Sequence, residues 1–60
     1  MNQYAITFID ELANFFTVVV ADDEWQARRK AEIFFWDTYG LDVGMRRWLD
    51  VEIKLEGVYA

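Results

Sequence analysis

No cysteine, histidine, proline or serine occurs in the 60 residues, and only three are glycine. Without cysteine there can be no disulfide staple, no thiolate chemistry and no soft metal site within one chain. Without serine, cysteine or histidine the common nucleophile–base triads cannot be assembled. No run of residues approaches the ~20 apolar positions that span a bilayer. Met1-Asn2-Gln3-Tyr4 lacks the basic start and apolar stretch of a signal peptide. These absences predict a cytoplasmic, non-enzymatic protein that holds no metal or cofactor and does not associate with membranes.

What is present is apolar and acidic. Hydrophobic residues make up 55 % and aromatics 18 %, too apolar for a disordered chain, and 60 residues allow a single domain, 1–60. Eleven acids against six bases leave a net charge of −5. This excess argues against nucleic-acid binding, in which neutralising phosphates supplies most of the affinity. Five acids and no base lie in residues 1–24, five bases and three acids in 25–47, and a net −2 in 48–60. A dipole of this kind suits a protein partner.

Residues 3–9 alternate, with Tyr4, Ile6 and Phe8 on one face and Ala5, Thr7 and Ile9 on the other. Asp10 to Asn14 interrupts the pattern, and Asn14 is expected to take a left-handed turn conformation. Phe15 to Ala21 resumes as a strand, with Phe16, Val18 and Val20 assigned to the core and Phe15, Thr17 and Val19 to the opposite face. Asp22-Asp23-Glu24 reads as a helix start, with Asp22 or Asp23 as N-cap and Asp23/Gln26 at capping-box spacing. The helix is expected to end near Tyr39, with Gly40 as a left-handed cap and Leu41 folding back. Ala27, Ala31, Phe34 and Phe35 form its inner stripe. Arg28 and Glu32 have the i,i+4 spacing of an ion pair. Residues 41–48 read as a loop, and Leu49, Val51, Ile53 and Leu55 alternate with Asp50, Glu52, Lys54 and Glu56 in a last, half-buried strand.

The resulting fold class is α+β, in the order β-β-α-β. It is a three-stranded antiparallel sheet in the order 2-1-3, with one helix packed on one face and a right-handed crossover from second to third strand. A helix on a sheet buries one stripe only. The cluster Trp25, Arg29, Ile33 and Trp36 on the far side of the helix is therefore expected to bind a partner, with Arg46, Arg47 and Trp48 as a second patch. A solvated loop with Trp48 covering the sheet edge is the plainer reading of that second patch. The second strand, almost free of charge, is the more exposed docking edge.

The stretch Thr17-Val18-Val19-Val20-Ala21, Asp22-Asp23-Glu24, Ala27…Ala31 and Gly40-Leu41-Asp42-Val43 resembles small podophage proteins that inhibit host RNA polymerase. The likeness spans about two thirds of the chain. The chain departs from that family in its longer Arg46-Arg47 loop and its more acidic last strand. The resemblance implies a phage-encoded inhibitor in the host cytoplasm, with host RNA polymerase as its protein partner. Two other functions fit the same residues. One is a self-associating homo-oligomer, built on Trp25, Ile33 and Trp36 or on the uncovered sheet face, where Ala5, Ile9, Phe15 and Val19 are expected. The other is an acidic nucleic-acid mimic of the anti-restriction or anti-CRISPR type, which needs its acids on one continuous surface.

Overall fold

The computed structural model of the chain describes residues 1–44, 48 and 50–58. Its elements are β1 (Asn2–Ile9), β2 (Asn14–Ala21), α1 (Glu24–Tyr39) and β3 (Asp50–Val58). β1 is the central strand, antiparallel to both neighbours, in the order β2-β1-β3. The α+β class, the strand order and the single helix are as the sequence predicts. Among the described residues no helix is long and apolar enough to cross a membrane.

The hairpin turn decides which residues become core. Asp10 to Ala13 close it: the Asp10 amide donates to the Ala13 carbonyl at 3.0 Å, and Asp10 Oδ1 accepts from the Glu11 amide at 2.7 Å. Asn14 is already in the strand, opposite Ile9, and no non-glycine among the described residues has a positive φ. The expected left-handed Asn14 is thus corrected. A four-residue connection places Phe8 opposite Phe15, whereas the five-residue connection read from sequence would have placed it opposite Phe16. Because side chains alternate with period two, this single step turns the whole strand over. Phe15, Val19 and Ala21 face the helix, while Phe16, Val18 and Val20 point away from it, 60, 45 and 39 % exposed.

The helix begins as expected. Asp23 is the N-cap in an extended conformation, and its Oδ1 accepts from the Gln26 amide at 2.8 Å. Gln26 reaches back, its Oε1 accepting from the Asp22 amide at 3.3 Å, one residue earlier than in a standard capping box. At the other end Gly40 takes φ 64°, which a side chain would resist. Its amide donates to the Trp36 carbonyl at 2.9 Å and the Leu41 amide to the Phe35 carbonyl at 3.2 Å, so Leu41 folds back onto the core.

The inner stripe is Ala27, Ala31 and Phe35. The two alanines let α1 lie close to β2 and β1, on which it chiefly packs. Phe34, expected in the core, is partly exposed instead and meets Phe35 and Tyr39 edge to face at 5.3 and 6.1 Å. The β3 half of the sheet is closed by the segment after the helix. Val43 is wholly buried, and the Trp48 indole donates to its carbonyl at 2.8 Å. Val51 and Ile53 pack beneath, but Leu55, also expected in the core, stands exposed beside the irregular pairing at Gln3/Tyr4. Leu49, the remaining core expectation, lies outside the described residues.

Charge substitutions test the face assignment. Phe15→Lys should cost about 3 kcal/mol or more, because it opens the core and buries an amine. Phe16→Lys should stay within about 1 kcal/mol of wild type. Equal losses in urea titrations of the two variants would contradict the register.

Candidate interaction surface

Four of the residues singled out from sequence come together on the outer face of α1. They are brought there by the 3.6-residue repeat, since the inner stripe is taken by Ala27, Ala31 and Phe35. Trp25, Ile33 and Trp36 are 69, 54 and 58 % exposed. The Arg29 guanidinium lies over the Trp25 ring, 5.3 Å from its centroid. Such a stack is worth about 0.5–1 kcal/mol at an exposed site and holds both side chains in place. Arg28 Nε and Glu32 Oε1 are 3.8 Å apart, the predicted i,i+4 pair.

Two shallow grooves adjoin on this face. One is lined by Trp25, Gln26, Arg29, Lys30 and Ile33 and is basic. The other is lined by Arg29, Glu32, Ile33 and Trp36 and walled by Asp42 and Gly44, so its far end is acidic. Gly44 approaches Glu32 so closely that a Cβ there would come within 2.8 Å of Oε2. Lys30 turns away from the face, its Nζ donating to the Val20 carbonyl of β2 at 2.7 Å.

Trp48 does not join this cluster. Its ring packs on Phe8 and Phe15, with centroids 5.3 and 5.6 Å away, and shields the open side of the core. These contacts match the plainer reading, in which the ring covers the sheet. Arg46 and Arg47 lie outside the described residues.

Among the described residues the sheet face opposite α1 is bare, as a single helix on one face implies, but the hairpin register puts Phe16, Val18 and Val20 on it in place of the expected Phe15 and Val19. On the side of the sheet opposite α1, Phe16, Val18 and Val20 of the edge strand β2 stand beside Thr7, Ile9 and the small Ala5. The β3 side of that surface carries Glu52 and Lys54. The even length of the Asp10–Ala13 turn is the signal that could have revealed which β2 residues lie there.

The acids lie at both ends of the sheet and along β3, which carries Asp50, Glu52 and Glu56. Pairing places Asp10, Glu11 and Asp50 at one end of the sheet and Asp22, Asp23 and Glu24 at the other. Among the described residues no group of three or more acids converges as a metal site. A third hollow, lined by Asn14, Phe15, Phe16, Phe35, Tyr39 and Leu41, has no charged side chain in its lining. The surfaces of this molecule thus provide apolar area and fixed charge suited to binding. No protein-family model, curated protein or solved structure matches this chain.

The three tryptophans should separate by role. Trp25→Ala, which loses its stack on Arg29, and Trp36→Ala should each leave stability within about 1 kcal/mol. Trp48→Ala should cost about 3 kcal/mol and remove most of the cooperative thermal transition of so small a core. Comparable melting curves for all three variants would contradict the assignment.

Proposed function

We propose that this chain is a non-enzymatic interaction protein that binds and modulates a larger protein machine. One observation carries the reading: both outer surfaces of a two-layer domain display large apolar side chains, Trp25, Ile33 and Trp36 on the helix and Phe16, Val18 and Val20 on the sheet. Exposed apolar residues scattered singly are ordinary, but clusters of this kind on a chain of net charge −5 favour a role in recognition. The helix cluster joins tryptophan to arginine, the side chains most enriched where binding energy concentrates. Within this reading bacterial RNA polymerase is the target, as the resemblance to podophage inhibitors implies, and the protein acts in the host cytoplasm.

Purified bacterial RNA polymerase is the direct probe. Wild type is expected to bind it and to inhibit transcription in a purified assay. Of the two variants Trp25→Ala/Trp36→Ala and Phe16→Lys/Val18→Lys, both folded by circular dichroism, at least one should weaken binding by about tenfold or more. No binding by wild type would remove polymerase as the target. Undiminished binding by both variants would remove these surfaces from the interaction.

A further inference from the structure

We propose that the outer face of α1 is the contact surface of a two-fold homodimer, in which two copies of the helix lie antiparallel. Trp25 packs on the partner subunit's Trp36, and Arg29 meets the partner subunit's Glu32. This inference rests on the reading of that face as a binding surface and supplies its occupant.

The order of residues along the face singles out a second copy. Trp25, Arg29, Glu32 and Trp36 are spaced by four, three and four positions, the spacing of a coiled-coil seam. Reversing the helix about the midpoint between Lys30 and Ala31 exchanges Trp25 with Trp36 and Arg29 with Glu32. These four positions are therefore their own complement when turned end to end, and Glu32, paired within its chain to the exposed Arg28, exchanges that pairing for the partner subunit's Arg29. A parallel pairing in register would set Arg29 against Arg29 and Glu32 against Glu32, and like charges in contact are unfavourable. Only the antiparallel arrangement places base against acid twice.

The grooves carry the same complementarity. Arg29 borders both grooves, while the acids Glu32 and Asp42 border only the one nearer the helix C-terminus. Two-fold antiparallel docking brings the Arg29 end of each helix face toward the partner's Glu32 and the partner's Asp42. The helix contains three acids, Glu24, Glu32 and Asp37, and three bases, Arg28, Arg29 and Lys30. It is neutral within a chain of net charge −5, so two copies approach through the segment that repels least.

The area suits a weak, reversible association. Trp25, Ile33 and Trp36 at their observed exposures offer about 400 Å² per chain, taking ~250 Å² for a whole tryptophan. Two copies together bury about 800 Å² of this apolar surface, below the roughly 1,200–2,000 Å² of a standard interface, so the association is a weak one. The tryptophans supply the affinity, whereas the Arg29–Glu32 pairs, costly to desolvate, set direction and register.

Sedimentation equilibrium of the full chain tests this with a charge-reversal cycle. At about 10–100 μM, wild type should approach twice the 7.2 kDa chain mass. Glu32→Arg sets arginine against arginine and Arg29→Glu sets acid against acid. Each should weaken self-association by about tenfold or more. The combined R29E/E32R chain restores two opposite pairs and should return to within about threefold of wild type. Phe16→Lys, on the far sheet face, should leave the association unchanged.

A wild-type mass of 7.2 kDa throughout that range would overturn the dimer. Single reversals without effect, or a double reversal without recovery, would overturn the antiparallel register. Dissociation by Phe16→Lys alone would move the contact to the sheet. A monomeric wild type that still binds RNA polymerase, and loses that binding with Trp25→Ala/Trp36→Ala, would refute the second copy and keep the helix face as a binding surface.

Discussion

Four rings meet at the centre of this molecule: Phe8 of the central strand, Phe15 of the neighbouring strand, Phe35 of the helix, and Trp48 just before the last strand. Phe8 touches Phe35 at 5.9 Å and Trp48 at 5.3 Å, and Phe15 touches the same two rings at 6.1 and 5.6 Å. Three of the four contacts are edge to face, the geometry that aligns a positive ring edge with a negative ring face. The cluster joins the hairpin, the helix and the approach to β3. It depends on the hairpin register: were Phe16 opposite Phe8 instead of Phe15, one ring would leave and the β2 strand would present its other side to the helix.

The same constraint explains the surface. A core of one sheet and one helix has two sides it cannot cover, and the helix is spent on β2 and β1. The post-helix segment, through Val43 and Trp48, closes the β3 half that the helix does not reach. What remains outside is the far side of the helix, with its two tryptophans, and the far side of β2, with Phe16 and the valines. The charged edge at β3 and the acids at both ends of the sheet separate these apolar patches. A net charge of −5 counters indiscriminate association, and so leaves recognition to the patches themselves.

Local chemistry was legible wherever a few adjacent residues decide the outcome. Asp23 with Gln26 marked the start of the helix, and Gly40 its end, since cap bonds form between near neighbours. The alternation of charge in Asp50 to Glu56 marked β3 and its wet face. The outward cluster of Trp25, Arg29, Ile33 and Trp36 followed from helical periodicity once Ala27 and Ala31 were read as the inner side. Val43 was illegible, because nothing in the local pattern of Leu41 to Gly44 distinguishes a buried loop valine from a solvated one.

In β2 the limit is of another kind. Asn14-Phe15-Phe16-Thr17-Val18-Val19-Val20-Ala21 is apolar on both faces, so alternation carries no preference for either side. The amino-acid order by itself determined the element types, the caps, the α+β class and the aromatic outer face of the helix, all set by interactions within a few residues. Only the tertiary structure decided which side of β2 meets the helix, that Trp48 completes the core, and that Phe34 and Leu55 remain outside. Those choices depend on turn length, strand pairing and ring packing between elements remote in the chain.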